Sequence, residues 1–479
     1  MPYPLYKKIG FIAGPILFLL LLFWPAEILS PIAQKVIAVA AWMVTWWITE
    51  AVSISVTALL PLMVFPILGI TDIKTVAASY GHPIVFLFFG GFIMALGLEK
   101  VNLHQRMALN IIKLTGTSPD RIILGFMIST ALLSMWISNT ASTVVMLPIA
   151  ISVIQLLVND EDGFSKKNQN FALSIMLGIA FSANIGGIAT LVGTPPNSVL
   201  VGFMESEYQI EISFLKWMTM GVPFSITMLT VCYFVLVKWI YPSGLGNFSA
   251  ASGLLGEEIR KLGPIRKEEK LVLVIFLLAI ISWIGRGAIN SWWPELNLSD
   301  TTISIMAAVA LFVIPPNFKD GKFILKWQDT VQIPWGILIL FGGGLALASG
   351  LSLAGIIDMI GEGIASKEGL SIFVISSLLI FVMLFMTELM SNVALVTIFV
   401  PVVAGIAIGL EAPILHMAIP VAMASSCAFM LPMATPPNAI VFASGHIKVY
   451  QMAKVGVILN VISVLLLVLF TKFYIPFVF

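Results

Sequence analysis

The stretch MWISNTAST, residues 135–143, places the polar triplet Ser-Asn-Thr (138–140) inside a largely apolar run from 122 to 158. A second triplet, Ser-Asn-Val at 391–393, lies in the downstream stretch ELMSNVALV. A continuous membrane helix tolerates such residues poorly, because their polar atoms would lie unpaired in lipid. Broken helices occur at membrane depth only where protein or a watery cavity covers them. The two triplets therefore mark the candidate positions of a covered site.

Each triplet is followed by the same tetrapeptide, Thr-Pro-Pro-Asn, at 194–197 and again at 435–438. Proline lacks the amide donor that a helix interior needs, so a helix is expected to break there. One triplet alone would be explained equally well by ordinary hydrogen bonds between helices. Four breaks in two matched pairs are instead typical of a transporter site built by internal repetition.

The spacing of the motifs supports an internal repeat. Ser-Asn begins at 138 and at 391, which is an offset of 253, whereas the tetrapeptides begin at 194 and 435, an offset of 241. The lost 12 positions match the length of the polar loop 159–170, which has no counterpart in the second half. A repeat with one insertion explains both offsets.

Composition defines the class of protein. The 479 residues are 59% hydrophobic and only 10% charged, with a formal net charge of +1, whereas soluble domains carry about 25% charged residues. The chain is long enough for ten or more spans of about 20 residues. No basic tract indicates nucleic-acid binding. The two cysteines, Cys232 and Cys427, are too far apart in sequence to suggest a disulfide framework or a metal motif.

The predicted fold class is an all-α polytopic membrane protein with about 11 transmembrane helices and two re-entrant hairpins. Segments 122–157 and 371–409 are too long for one span, and each carries its triplet near the middle, so each is predicted to be a hairpin. Lys7 and Lys8 precede an apolar run without a signal-peptidase site, which predicts an uncleaved first helix with a cytoplasmic N-terminus.

Lysine and arginine placement predicts the orientation of the rest of the chain. It places Lys166, Lys167 and Lys319 inside the cell and Lys367 outside, with 241–270 as a cytoplasmic linker. The first hairpin then opens to the cytoplasm and the second to the outside. This is an inverted-topology repeat in a plasma membrane, which in a bacterium is the inner membrane.

The chemistry of the motifs suits an anion together with a small cation. The triplets and tetrapeptides contain amides and hydroxyls but no lysine or arginine. Helix N-termini carry partial positive charge and free N–H donors, which suit a carboxylate or another oxyanion. Carbonyl oxygens at broken helices suit sodium. Because no cationic side chain is present, charge neutralisation has to come from helix ends and bound cations.

At these motifs, and in CAFMLPMATPPN at 427–438, the sequence resembles the divalent anion/sodium symporter family, which includes the INDY-type di- and tricarboxylate transporters. The resemblance covers essentially the whole chain. It implies a homodimer in the lipid bilayer whose protomers have a fixed scaffold domain and a transport domain that slides as an elevator. The implied segments are scaffold helices 1–98, a first transport segment 99–216, second scaffold helices 217–330, a second transport segment 331–449 and a C-terminal helix 450–479.

The resemblance also implies individual site residues. A first sodium site would use Ser134, Ser138, Asn139 and Gly193, and a second would use Thr387, Asn392 and Ala434. The anion would be held by Asn139, Thr140, Asn392 and the two turns Thr194-Pro195 and Thr435-Pro436. Val393 faces the same anion but stands where many members have a second threonine, so the site loses one hydroxyl.

The predicted function is sodium-coupled symport of C4 dicarboxylates such as succinate, fumarate or malate, with citrate as a further candidate. Dicarboxylate exchange, proton coupling and sodium/sulfate symport are the alternatives. No HExxH or GxSxG motif indicates an enzyme. Glu388 is an intramembrane acid beside the second triplet. It could bind a proton or cation, or brace the hairpin through hydrogen bonds, and bracing is the preferred interpretation.

Overall fold

The computed structural model describes residues 4–25, 29–116, 118–158, 165–245, 249–317, 321–365 and 371–479. Within these ranges the regular secondary structure is helical apart from one isolated β-bridge between Asn317 and Lys322. Loop residues 159–164 and both Lys319 and Lys367, which the topology prediction uses, lie outside the described ranges. In chain order the α-helices are α1 (Leu5–Phe23), α2 (Pro31–Thr49), α3 (Ile54–Thr57), α4 (Leu60–Ile67), α5 (Ile73–Tyr80), α6 (Pro83–Lys100), α7 (Leu103–Thr115), α8 (Pro119–Ser134), α9 (Asn139–Val158), α10 (Lys166–Ile188), α11 (Pro195–Tyr208), α12 (Phe214–Tyr233), α13 (Ser249–Lys261), α14 (Lys267–Trp292), α15 (Asp300–Val313), α16 (Trp335–Leu353), α17 (Ile356–Ala365), α18 (Ile372–Met386), α19 (Asn392–Gly409), α20 (Ile414–Ala424), α21 (Pro436–Ala443), α22 (Val449–Phe473) and α23 (Ile475–Val478).

Nine helices in the described ranges are long and apolar enough to cross a membrane by length and composition, and five shorter apolar helices accompany them. The prediction of an all-α polytopic membrane protein is therefore confirmed. One of the nine is α19, which is an arm of a predicted hairpin, so nine is not the number of complete spans.

Both predicted hairpins are present as pairs of packed helices. Helix α8 contacts α9, and α18 contacts α19. Each polar triplet spans the junction between the turn and the second arm, because Ser138 and Ser391 end the turns and the second arms begin at Asn139 and Asn392. These starts are 253 positions apart, as are the starts of the first arms at Pro119 and Ile372. The offset read from the motifs is thus also the offset of the helices.

The two tetrapeptides begin new helices after a break. Helix α10 ends at Ile188 and α11 begins at Pro195, while α20 ends at Ala424 and α21 begins at Pro436. Each proline stands in the first turn of its helix, where a missing N–H costs no internal hydrogen bond. The residues between, 189–194 and 425–435, form the two breaks.

The two repeats cross each other at these breaks. Helix α9 of the first hairpin contacts α10 of its own repeat and α21 of the other. Helix α19 of the second hairpin likewise contacts α20 and α11. The second arm of each hairpin therefore packs against helices of both repeats, and α9, α11, α19 and α21 each begin at a hairpin tip or a break.

The remaining helices differ in which parts of the fold they contact. Helix α16 packs against α2, α3, α4, α5 and α6 and also against α11 and α19, and α6 packs against α15. Helix α12 instead packs against α10, where the Trp217 indole donates to the Ile188 carbonyl at 3.0 Å and the Ser225 hydroxyl donates to the Ile185 carbonyl at 2.8 Å. The predicted segment boundary at 216/217 falls inside α12, the boundary at 330/331 precedes α16, and both boundaries stay predictions.

Candidate binding site at the four helix breaks

The first hairpin tip holds a cluster of oxygen atoms around Asn139. The buried Ser134 hydroxyl lies 2.5 Å from Asn139 Oδ1 and 2.7 Å from the Ala183 carbonyl oxygen of α10. A hydroxyl has one proton, so it can donate to only one of these two acceptors at a time. With the Asn139 amide oxygen turned inward, three oxygens share one proton, and a small cation among them would use the remaining lone pairs.

The second hairpin tip repeats this cluster. The buried Thr387 hydroxyl lies 2.6 Å from Asn392 Oδ1 and 2.7 Å from the Ser425 carbonyl oxygen in the second break. Thr387 and Asn392 follow Ser134 and Asn139 by 253 positions each. In each repeat the structure therefore joins one predicted sodium-site hydroxyl, Ser134 or Thr387, to the predicted asparagine and adds one backbone carbonyl to the pair.

The other predicted sodium residues occupy less direct positions. The Ser138 hydroxyl accepts a hydrogen bond from the Ala141 N–H at 3.1 Å and so caps α9. Gly193 lies close to the first cluster through Gly187, because a Cβ on Gly193 would come within 2.4 Å of the Gly187 carbonyl oxygen. Ala434 lies in the second break, and in the described part of the chain no hydrogen bond joins it to Thr387 or Asn392.

The predicted anion residues line the N-terminal turns of four helices. Asn139 and Thr140 begin α9, Asn392 and Val393 begin α19, and Thr194 and Thr435 are the N-caps of α11 and α21, followed by Pro195 and Pro436. Thr140 and Pro436 are exposed, Asn139, Asn392, Val393 and Pro195 are half-buried, and both N-cap threonines are buried. Four positive helix ends without a basic side chain in the motifs can hold an oxyanion through N–H and hydroxyl donors.

The asparagine of each tetrapeptide has a role that sequence reasoning missed. The Asn197 amide donates to the Gly187 carbonyl at 3.2 Å and to the Thr190 carbonyl at 2.8 Å. The Asn438 amide donates to the Ala428 and Leu431 carbonyls, both at 3.1 Å. Each asparagine therefore satisfies carbonyls that its own helix break has freed. The signal available in the sequence was the motif itself, since an amide follows two prolines at both breaks.

Glu388 braces the second break. Its Oε1 accepts from the Phe429 N–H at 2.7 Å and the Met430 N–H at 2.9 Å, and its Oε2 accepts from the Leu431 N–H at 3.1 Å. The Asn460 amide of α22 adds a fourth donor at 2.7 Å from Oε1. This geometry agrees with the preferred bracing interpretation.

In the first repeat, hydrogen bonds between neutral groups connect the hairpin tip to the helix break. Met135 occupies the position 253 residues before Glu388. Its carbonyl accepts from the Thr190 hydroxyl at 2.5 Å, and the Gly193 N–H donates to that hydroxyl at 3.0 Å. Both hairpin tips are thus fastened to the break of their own repeat.

In the part of the chain that the structure describes, the site offers neutral oxygen ligands and not the charged, imidazole or thiolate ligands of a transition-metal site. Over the described residues, no group of three or more His, Cys, Asp or Glu side chains could hold a metal ion. The clusters at Asn139 and Asn392 consist of neutral hydroxyl, amide and carbonyl oxygens, which are ligands for a hard monovalent cation rather than for zinc or another transition metal.

Two comparisons agree with this architecture. Over 99% of this chain and 92% of the relative, the sequence is 40% identical to the sodium-dependent dicarboxylate transporter SdcS of Staphylococcus saprophyticus. It is also 40% identical to SdcS of Staphylococcus aureus over 100% of this chain and 93% of that protein. Among solved structures, the YdaH transporter of Alcanivorax borkumensis is similar in fold, with a TM-score of 0.61, 11% identity and coverage of 98% and 99% of the two chains. MtrF of Neisseria gonorrhoeae is similar with a TM-score of 0.56, 14% identity and coverage of 99% and 95%.

The match to a family extends over nearly the whole sequence. Residues 7–479 match the family described as the sodium:sulfate symporter transmembrane region. This family is the one that the tripeptide and tetrapeptide motifs resemble, so the predicted relationship is confirmed. The paired hairpins, the paired breaks and the full-length match lead to one conclusion: the chain belongs to the sodium:sulfate symporter family.

Proposed function

We propose that this protein is a sodium-coupled symporter that carries C4 dicarboxylates such as succinate, fumarate or malate across a plasma membrane. The observation that carries the proposal is the pair of matched oxygen clusters, Ser134 with Asn139 and Thr387 with Asn392, at helix N-termini whose motifs contain no basic side chain. The relatives named above are sodium-dependent dicarboxylate transporters, which supports both the ion and the substrate class.

The oxygen clusters give a physical reason for the binding of the anion to depend on sodium. Each asparagine amide has its oxygen directed to the buried hydroxyl, and among the described residues no acceptor takes its nitrogen, which can therefore donate to a ligand. A cation on the oxygen side fixes the amide, and the fixed amide then presents N–H donors to a carboxylate. A dianion without these cations would have only the partial charges of helix ends to offset it. Sodium and dicarboxylate are therefore expected to bind together.

Two like half-sites suit a ligand with two carboxylates. The repeat supplies one asparagine, one hydroxyl cluster and one N-cap threonine from each half. A linear dianion can place one carboxylate against each half, whereas sulfate has a single centre of charge. Citrate is a further candidate, because its additional carboxyl group has to be accommodated beside Val393 or Thr140.

For the movement itself we propose an elevator. The hairpins α8–α9 and α18–α19 and the broken pairs α10–α11 and α20–α21 contact one another and form the proposed transport domain. Helix α12 contacts α10, and α16 contacts the transport helices α11 and α19 as well as α2 to α6, so the boundaries at 216/217 and 330/331 remain part of the proposal. A homodimer with cytoplasmic N-termini completes the proposal, on the basis of the family resemblance and the charge distribution.

The test is uptake of labelled succinate into proteoliposomes that contain the purified protein. Uptake is expected with an inward sodium gradient and to be lost when choline replaces sodium. Unlabelled fumarate and malate should compete strongly, and sulfate weakly. Equal uptake in choline would contradict sodium coupling, and uptake only into vesicles preloaded with dicarboxylate would establish exchange. Strong competition by sulfate alone would change the substrate class.

A further inference from the structure

Asn184 is a buried amide that connects the two repeats. It lies on α10 of the first repeat with 1% of its surface exposed. Its Nδ2 is 3.0 Å from the Thr435 hydroxyl oxygen, 3.3 Å from the Ala428 carbonyl oxygen and 3.4 Å from Asn438 Oδ1. Ala428 and Thr435 belong to the second break, and Asn438 lies in the first turn of α21. The sequence motifs did not mark Asn184, and the proposed sodium clusters do not include it.

The neighbours of the Asn184 amide determine which way it faces. Asn438 already uses its own Nδ2 on the Ala428 and Leu431 carbonyls, so its Oδ1 has to act as an acceptor. If Asn184 were flipped, its oxygen would face a carbonyl oxygen and an amide oxygen, with no proton between them. The NH₂ group therefore faces the break, and one of its two protons is directed to Thr435.

This contact determines what the Thr435 hydroxyl can do. Its oxygen accepts from the Asn184 amide and, at 3.4 Å, from the Asn438 N–H, which occupies both lone pairs. Among the residues that the structure describes, no acceptor receives the Thr435 hydroxyl proton. That proton is therefore directed away from both donors, at the N-cap of α21 and beside the exposed Pro436.

The first repeat lacks this arrangement. Thr194 is the N-cap of α11, but its side chain makes no capping hydrogen bond. Ala183 and Ser425 occupy equivalent places, because the carbonyl of each lies beside a hairpin hydroxyl, so the counterpart of Asn184 is Ser426. The Ser426 hydroxyl is buried without a partner within the described part of the chain. A serine is too short to make the cross-repeat contact, so only Thr435 is held in this way.

We propose that Asn184 is a positioning residue that holds the Thr435 hydroxyl as a donor to one carboxylate of the bound dicarboxylate. The inference rests on the proposed function, since it needs an anion at the helix breaks. It makes the two ends of the site unequal, with an oriented hydroxyl from Thr435 on one side and the exposed Thr140 hydroxyl on the other. Loss of the orientation is expected to raise the half-saturation concentration for succinate about three- to tenfold, as for one net hydrogen bond.

The test is a double-mutant cycle read as sodium-driven succinate uptake. Asn184→Leu keeps the branching at Cγ and removes the donors, and Thr435→Val keeps the shape and removes the hydroxyl. Each is expected to raise the half-saturation concentration, with the maximal rate within about twofold of wild type. The double variant should equal Thr435→Val alone, because Asn184 acts through that hydroxyl. Ser182→Ala is the matched control, because Ser182 is buried on the same helix without a hydrogen-bond partner in the described residues, and it should behave as wild type.

The outcomes separate this inference from the function on which it rests. If Asn184→Leu weakens succinate uptake by the same factor with and without the Thr435 hydroxyl, Asn184 acts only by packing and the inference is wrong. If Asn184→Leu does not fold, Asn184→Ser takes its place in the double-mutant cycle, because serine is the residue at the equivalent position of the other repeat. The measured quantity is again the half-saturation concentration for succinate. Absence of sodium-driven succinate uptake by the wild-type protein would overturn the proposed function and the inference together.

Discussion

Replacing Glu388 with glutamine should loosen the second helix break, because glutamine has nearly the same shape as glutamate but offers one oxygen acceptor fewer. The carboxylate accepts four hydrogen bonds, three of them from the consecutive N–H groups of Phe429, Met430 and Leu431. A glutamine keeps one oxygen and places an NH₂ donor where a second acceptor is needed. At least one backbone N–H would then be left unpaired inside the protein.

The magnitude follows from these contacts. Hydrogen bonds to a charged group contribute about 1.5–3 kcal/mol each, and a buried donor left without a partner costs about 1–3 kcal/mol. With one donor unpaired and the others weakened, Glu388→Gln should destabilise the break by about 2–5 kcal/mol. Because Ser425 and Thr435 border the same break, the second oxygen cluster and the Thr435 N-cap should lose their fixed positions.

The assay compares thermal unfolding and uptake in the same preparations. Glu388→Gln should lower the melting temperature, raise the sodium half-saturation concentration and reduce uptake at least tenfold. Glu362→Gln is the matched control, because it makes the same charge change at an exposed side chain of α17. Uptake and stability of Glu388→Gln equal to those of Glu362→Gln would refute the bracing role.

Three further predictions follow from the site. Asn139→Ala and Asn392→Ala should each abolish uptake while the protein still folds and dimerises, because each asparagine binds both the cation and the anion. Near-normal uptake by either purified variant would place the binding site elsewhere. Val393→Thr should tighten succinate binding relative to citrate by several-fold to roughly a hundredfold, since the new hydroxyl faces a carboxylate. An unchanged ratio of the half-saturation concentrations for succinate and citrate would mean that position 393 does not face the substrate. Single cysteines at Lys167 and Lys367, in a background without Cys232 and Cys427, should be labelled from opposite sides of the membrane; labelling of both from one side would contradict the inverted topology.

The helix breaks could be predicted from the sequence because their signals are local. Prolines at 195 and 436 and polar triplets at 138 and 391 mark the ends of helices directly. The repeat offsets of 253 and 241 positions also carried over to the helix starts, since an insertion in a loop leaves the helices on either side intact. Long apolar segments with a polar centre were sufficient to predict the two hairpins.

The partners within the site could not be predicted in this way. The Ala183 and Ser425 carbonyls complete the oxygen clusters, and a backbone carbonyl has no residue-type signature in a sequence. Asn184 reaches a hydroxyl 251 positions away, which depends on how the two repeats cross. The segment boundaries stay predictions, because an apolar helix such as α12, which contacts α10 and α8, carries no local signal of the domain to which it belongs.

The most direct test of the account measures sodium movement itself. Proteoliposomes are supplied with radioactive sodium and labelled succinate, and the initial rates of both fluxes are compared at zero membrane voltage. Two oxygen clusters, one at Asn139 and one at Asn392, predict that at least two sodium ions enter with each succinate. Succinate uptake without succinate-dependent sodium entry, or with fewer than two sodium ions for each succinate, would contradict the claim that both clusters carry sodium with the anion.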